Sequence, residues 1–517
     1  MKSLYILCFV SLLCSCSKKA LETTPTDRYT EETFWVSERN AVAALSGCYA
    51  VMTENGIFGG DATPLWEETV TPNAYNYIDE MGFNAIASGT HTAVNSLIIY
   101  HRWNDAYRGI GRCNTLISKI TEISMNDNLR NRMIAEAKFL RALYYTVLET
   151  YYGGVPLILD PPDPRAHGSL PRNSREEVVT QILKDIDEAA SVLPVTYPAA
   201  DKGRATKGAA LGLKARILLF EASPLINTTN DINKHTAAVN AAKAVMDLAP
   251  SAKYDLFPNY RQLLFPANEN NPEVVFDVQF KAPELTGNSF DLIGRQFNTN
   301  APLQDLVTSY DMADGLPADK SPLFDPNDIY KNRDPRFYQT IVFPGDTFMG
   351  NLVTHLAPFT QTGYALKKYT VYDKEPTTNL IGGLQSPTNY VVIRYADILL
   401  MYAEARNEAV GPDQSVYDAV NRVRARAQMP DLPAGLSKAE MREAIRKERR
   451  IEFAGEGFYY NDIRRWKTAE HVMNATIYDS ENNVIQKRTF NPARDYWWPI
   501  PQAERDLNPE LTQNSLY

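Results

Sequence analysis

A cysteine that follows a short apolar run and a small residue is a substrate for acylation, and the chain opens with that arrangement. Lys2 precedes an apolar run from Leu4 to Leu13, which ends in Leu13-Cys14-Ser15-Cys16. Leu13 at −3, Ser15 at −1 and Cys16 at +1 match the lipoprotein cleavage box, so residues 1–15 read as a signal peptide and Cys16 as the lipidated residue. Cys14 is a poor rival because Leu13 would then stand at −1. The run is too short for a membrane span, which needs about 20 residues. A multiply acylated Cys16 gains about 0.8 kcal/mol per buried methylene and would hold a soluble domain stably on a membrane.

Catalytic chemistry is hard to find. The sequence has no GxSxG elbow, HExxH, GxxxxGK[ST] or CxxC. Paired carboxylates need no local motif, and Glu67-Glu68 and Asp79-Glu80 are the pairs to suspect; adjacent acids on a solvated loop, however, point apart. Gly109-Ile110-Gly111 lacks the third glycine of a dinucleotide loop and reads as a helix-packing feature. Asp325-Pro326-Asn327-Asp328 resembles the start of a calcium loop but lacks the glycine at its sixth position and the glutamate at its twelfth. No catalytic residue, metal ligand or cofactor is expected. Once the leader is removed only Cys16, Cys48 and Cys113 remain, which excludes a disulfide scaffold; Cys48 and Cys113 fall on predicted helices, where buried free thiols are common. Residues 437–467 are dense in charge: Ser437 and Glu440 form a capping box, and Glu448 and Glu452 stand on a stripe begun by Met441 and Ile445. Those glutamates need partners, for which Arg446, Arg449, Arg450, Arg464 and Arg465 are the candidates.

The elements that must carry these residues are mainly helices. At 517 residues, 44% hydrophobic and 22% charged, the chain is globular, and its net charge of −9 argues against nucleic acid as a partner. Residues 16–30 are polar and aperiodic, a tether behind the lipid. Apolar residues at Met133, Ala137, Leu140, Tyr144, Leu148 and Tyr151 predict a helix over 126–152 that Gly153-Gly154 stops. Ser174 and Glu177 cap a second over 174–193. Further helices are predicted at 36–53, 95–122, 206–222, 234–248, 394–410, 413–428 and 437–454. Their lengths and short connections suggest stacked helical hairpins. Between about 250 and 390 prolines, glycines and aromatics break every period, leaving strand-like pieces such as Glu273–Phe280; an insertion of that length is usually functional.

Separated segments then carry a resemblance. Ala135-Glu-Ala-Lys-Phe-Leu-Arg-Ala142 running to Tyr152-Gly-Gly-Val-Pro156, Lys207-Gly-Ala-Ala210, Ile393-Arg-Tyr-Ala-Asp-Ile-Leu-Leu-Met-Tyr-Ala-Glu-Ala405, Ile445-Arg-Lys-Glu-Arg-Arg450 to Trp466, and Trp498-Pro-Ile-Pro501 through Asn508-Pro509 to Gln513-Asn514 stand in order along the chain. The sequence resembles the SusD/RagB family of outer-membrane nutrient-binding lipoproteins of Bacteroidetes. It departs from the family at Ser515-Leu516-Tyr517, where proline-glycine-tyrosine is usual, and at residues 17–20, which lack the acidic run that often accompanies surface export. The resemblance implies a mainly α fold, a helical solenoid of four tetratricopeptide-like helix pairs packed against an irregular loop-rich region with small β elements. It implies one domain over 31–517, with a scaffold at about 31–250 and 390–470 and a ligand-side insertion at about 250–390. It further implies a non-enzymatic protein anchored by lipid in the outer membrane, facing the exterior, that hands an oligosaccharide to a SusC-like TonB-dependent barrel. Peptide is the runner-up ligand; a surface glycosidase or peptidase and an adhesive lipoprotein are the rivals from other classes.

The family's binding loops vary, so the ligand site has to come from physical chemistry. Sugars stack apolar faces on aromatic rings while amides and charged groups bond their hydroxyls. Two stretches offer that mixture: 66–83, with Trp66, Asn73, Tyr75, Asn76, Tyr77 and Phe83, and 290–298, with Phe290, Arg295 and Phe297. Trp103, Trp466 and Trp498 lie inside scaffold motifs and are expected in the core.

Overall fold

The computed structural model describes residues 30–61, 63–79, 81–354 and 361–517. The leader, Cys16, the tether up to residue 29, and Glu80 lie outside the described residues.

Helix-starting residues stand where the apolar periodicity begins. Ser37 accepts the Asn40 N–H ahead of α1 (Glu38–Ala50). α2 spans Leu97–Lys119, and α3 (Asp127–Tyr152) opens where Asn126 accepts the Leu129 N–H and closes at Gly153, whose φ of 77° suits glycine. The capping box of Ser174 and Glu177 starts α4 (Arg175–Val192), and Thr206 caps α5 (Lys207–Ala222). α6 (Ile232–Ala252) outruns its predicted length at both ends. Asp231 caps it early, Pro250 is tolerated in its last turn, and Lys253 in the left-handed region ends it. α7 (Tyr395–Val410) and α8 (Gln414–Arg426) follow, and the second capping box, Ser437 with Glu440, starts α9 (Lys438–Glu452). A short α10 covers Tyr459–Arg465.

From α1 to α8 each helix packs on the next, giving the pairs α1/α2, α3/α4, α5/α6 and α7/α8 of a helical solenoid. One apolar core runs through them, including Leu140, Tyr144, Ile186, Leu213 and Ile398. Cys48 and Cys113 are free thiols in that core, and burial pushes the Cys113 thiol well above its ordinary range. Gly109 is where α2 meets α3, because a Cβ there would collide with the Tyr144 ring. The insertion between α6 and α7 is stapled at its two ends, where β2 (Val274–Val278), inside the strand-like piece predicted at 273–280, pairs antiparallel with β4 (Tyr390–Arg394). Within it, Leu306, Tyr310, Phe337 and Tyr364 form a satellite core against Ile451 and Ala454 at the end of α9.

The partners of Glu448 and Glu452 differ from those expected. Glu448 takes Arg336 at 2.5 Å and Arg424 at 3.0 Å. Glu452 takes Arg394 at 2.6 Å, Arg336 at 3.0 Å, and Arg426. The five arginines near them in sequence bond elsewhere: Arg446 to Glu443, Arg449 to Asp397 and Asp462, Arg450 to Asp305, Arg465 to Glu404 and Asp462, and Arg464 to the Tyr496 and Thr150 carbonyls. Burial alone would raise the Glu452 carboxyl, but the cations around it hold it well below the carboxylate range. Among the described residues this cluster is balanced: Arg336, Lys368, Arg394, Arg424 and Arg426 face Glu273, Asp334, Glu448, Glu452 and Glu456. It ties the insertion to α8 and α9.

Candidate functional site

The two aromatic stretches, far apart in sequence, meet in the fold. β1 (Ala74–Tyr75) pairs antiparallel with β3 (Ala301–Pro302), Tyr75 opposite Ala301. The Asn73 carbonyl accepts the Leu303 N–H at 3.0 Å, and the Trp66 indole N–H donates to Thr299 Oγ1 at 2.9 Å. Tyr77 and Phe297 lie within four residues of this pairing.

The candidate residues then divide by exposure. Tyr77 is 39% and Phe297 42% exposed, and Tyr75 and Arg295 are half-buried. Arg295 donates to the Ile381 carbonyl at 3.0 Å and to Gln296 at 2.9 Å, with no carboxylate partner among the described residues. These four can offer stacking faces and hydrogen-bond donors to a ligand. Trp66, Asn73, Asn76, Phe83 and Phe290 are buried, which corrects the expectation that they face a ligand. Trp66 packs edge-on against Phe83 with ring centroids 6.4 Å apart. Asn73 spends its amide inside the protein, donating to Glu68 Oε2 at 2.8 Å and accepting from Arg450 Nε at 2.8 Å. Asn76 Oδ1 accepts the Ile78 N–H at 2.9 Å, an Asx turn that aims the chain into Tyr77. Trp103, Trp466 and Trp498 are buried as expected.

Of the two acid pairs suspected of catalysis, Glu67-Glu68 is structural. Glu67 and Glu68 are buried in a short helical turn rather than solvated on a loop. Glu67 pairs with Arg102 and accepts the Tyr151 hydroxyl at 2.6 Å. Glu68 accepts the Gly457 N–H at 3.0 Å, and burial lifts its carboxyl to about 7 against the lowering effect of Asn73 and Gly457. Asp325 Oδ1 accepts the Asn327 N–H at 2.9 Å, so the calcium-like tetrad makes a turn.

One residue that matters to the site carried no signal in the sequence. Arg488 is 1% exposed and donates to the Thr71 and Ala74 carbonyls, the latter at 3.1 Å, fastening β1 from beneath. It has no carboxylate partner among the described residues, and burial lowers it to about 9, opposed by Tyr75. Nothing local at position 488 marks it, because its partners are carbonyls at the other end of the chain.

Comparison with known proteins bears on what such a site does. The model of the SusD family matches residues 272–517, and a model described as starch-binding associating with outer membrane matches residues 23–219. SusD-like protein P25 of Formosa agariphila is 25% identical, the match covering 99% of this chain and 98% of that one. Among solved structures, a SusD-like carbohydrate binding protein from Bacteroides fragilis is similar with a TM-score of 0.81 at 29% identity, covering 93% of this chain and 100% of that one. A second SusD-like protein from Bacteroides fragilis is similar with a TM-score of 0.79 at 28% identity, covering 96% and 100%.

Proposed function

The chain belongs to the SusD family, and from that premise we propose that it is a non-catalytic glycan-binding protein of the outer membrane. The observation that carries the reading is the pairing of β1 with β3, which joins two aromatic stretches and leaves Tyr77 and Phe297 exposed beside Tyr75 and Arg295. Exposed rings flanked by hydrogen-bond donors suit the two faces of a sugar. The similar Bacteroides fragilis protein is described as carbohydrate binding, which supports the ligand class.

In this reading Cys16 carries the lipid and residues 17–29 tether the folded part. No described helix is long and apolar enough to cross a membrane, so attachment rests on that anchor. The protein faces the exterior and passes its oligosaccharide to a TonB-dependent barrel of the SusC kind. Glu67 and Glu68 are tied to Arg102, Tyr151, Asn73 and Gly457, which supports binding without turnover.

The test is calorimetry of the soluble form begun at Ser17 against plant, host and microbial oligosaccharides and a peptide mixture, with product analysis after each titration. Saturable heat with intact oligosaccharide is the expected result. Cleaved ligand would replace the reading with an enzyme, and heat from peptide alone would replace the ligand class. Co-purification of a large barrel with the full-length lipoprotein tests the partner.

A further inference from the structure

Cys48 and Cys113 take no part in the site described above, yet the fold brings them together. α1 packs directly on α2, and two contacts bracket the pair. Arg112, next to Cys113, donates to the carbonyl of Gly47, next to Cys48, at 2.7 Å. The Tyr144 hydroxyl donates to the Cys48 carbonyl at 2.6 Å, while its ring lies against Gly109, one turn before Cys113. Residues 47–48 of α1 therefore stand level with residues 109–113 of α2. Both cysteines are 0% exposed. After burial itself, the largest influence raising the Cys113 thiol is its hydrogen-bond neighbour, the Cys48 thiol.

A single buried cysteine is an ordinary small apolar residue. A pair that meets is different, because two cysteines in a core of this size have no need to share one contact. Once the leader is removed and Cys16 is acylated they are the only thiols of the mature chain. They are too few to hold a metal by themselves, and among the described residues no group of three or more His, Cys, Asp or Glu side chains comes together to do so. The chemistry open to the pair is oxidation.

We propose that Cys48 and Cys113 are joined by a disulfide in the exported protein, a covalent link from α1 to α2 whose dithiol form the structure shows. The proposal rests on the reading of Cys16 as the mark of an exported lipoprotein, since disulfides persist outside the cytosol, and on nothing about the ligand. The oxidant is a disulfide-bearing protein of the cell envelope. One cysteine, as thiolate, attacks the oxidant's S–S bond, giving a mixed disulfide and one oxidant thiolate. The second cysteine thiolate attacks the sulfur of the first. The Cys48–Cys113 bond forms, the mixed bond breaks, and the oxidant leaves as a dithiol with the two electrons and two protons. Neither thiol is exposed in the folded protein, so the exchange takes place before α1 docks on α2.

The loop closed in this way contains the whole 66–83 stretch, with Tyr75 and Tyr77. It also secures α1, the first long helix after the tether. Tension passed from the lipid anchor along α1 then meets a covalent bond as well as packing.

The experiment is mass mapping of the full-length lipoprotein taken from the membrane fraction, quenched in acid and denatured in N-ethylmaleimide. The expected result is a peptide containing Cys48 joined to one containing Cys113, lighter than their sum by two hydrogens and free of the alkylating agent. Separate peptides with both cysteines alkylated would overturn the inference. In urea the linked protein is expected to keep a folded-to-unfolded ratio roughly 30- to 1,000-fold above that of the same protein with reductant present, and Cys48→Ala with Cys113→Ala to be indifferent to reductant. Equal midpoints for the parent with and without reductant would overturn the inference as well. The acyl mass on the Cys16 peptide reports the anchor reading separately. Refolding of the reduced chain in a glutathione buffer tests the pair whichever way that reading falls: the linked peptide supports it, and glutathione adducts or free thiols overturn it.

Discussion

Trp66, Tyr77 and Phe297 have the same credentials in the sequence, yet the structure gives them opposite consequences when each is cut back to alanine. Trp66 is 5% exposed, packs on Phe83 and bonds Thr299. Its loss leaves a large cavity and an unpaired hydroxyl, for which about 3–5 kcal/mol is expected, a large part of an ordinary stability of roughly 5–15 kcal/mol. Tyr77 and Phe297 keep about two fifths of their surface in water, at 39% and 42% exposure. Removing either costs little stability, but a ring stacked on ligand contributes about 0.5–1.5 kcal/mol, or roughly 2- to 12-fold in Kd. If the two act independently, the double variant weakens binding by about 5- to 150-fold. Urea unfolding and calorimetry on the same samples separate the effects, using the oligosaccharide that binds the parent protein best. The reasoning fails if Tyr77→Ala/Phe297→Ala binds within twofold of the parent, or if its unfolding midpoint falls as far as that of Trp66→Ala.

Three further outcomes follow from the packing and the charges. Glu452→Gln leaves Arg336, Arg394 and Arg426 with one negative charge too few in a fully buried cluster, and a stability loss of about 3–5 kcal/mol is expected from denaturant unfolding; a loss under about 1 kcal/mol would mean water reaches the cluster. Glu149 is 0% exposed, and burial lifts its carboxyl from 4.5 to about 7 despite Arg175. The folded state therefore holds its proton more tightly than the unfolded one, and stability from this group falls by about 3 kcal/mol as pH rises from 4.5 to 7. Glu149→Gln should flatten the stability profile over that window relative to the parent; parallel profiles would refute the assignment. Gly47 and Gly109 are both helical, but a Cβ at Gly47 meets nothing within 4 Å while one at Gly109 strikes Tyr144. Gly47→Ala should raise stability by about 1 kcal/mol and Gly109→Ala lower it by about 1–3 kcal/mol, read as shifts in Tm of opposite sign.

The long helices were legible because each announces its own start and its buried stripe. Ser174 and Ser437 stand one residue before their helices, as their capping boxes imply, Asn126 caps a helix predicted to start at 126, and the predicted ends fall within a few residues of those found. The need of Glu448 and Glu452 for cations was legible too, but the cations were not. Arg449 and Arg450 stand one and two residues from Glu448 and do not face it, while Arg449, three residues from Glu452, is already taken by Asp397 and Asp462. The true partners arrive from Arg336, Arg394, Arg424 and Arg426 on separate elements. The insertion was opaque for a related reason. β1 and β3 are two residues long and pair across nearly half of the chain, leaving no period to read, and without one the buried Trp66 and Phe83 look the same as the exposed Tyr77.

That opacity has a physical counterpart in how the loops are held. Irregular backbone leaves carbonyls that no ladder satisfies, and a buried carbonyl without a donor is expensive. Arginine answers this better than an apolar residue because its stem packs while its fork reaches several oxygens. Arg488 bonds the Thr71 and Ala74 carbonyls, Arg261 the Thr370 and Tyr372 carbonyls, and Arg464 the Tyr496 and Thr150 carbonyls. Around the site the same device becomes a chain: Arg450 of α9 holds Asn73, Asn73 holds Glu68, and Glu68 holds the Gly457 N–H ahead of α10. The loop that presents Tyr75 and Tyr77 is thus fastened to the solenoid before any ligand arrives. A ring held in place loses less freedom on binding than one on a mobile loop, so modest stacking energies are enough. The buried charge that makes the scaffold costly to desolvate is what lets a loop with no regular structure behave as a rigid surface.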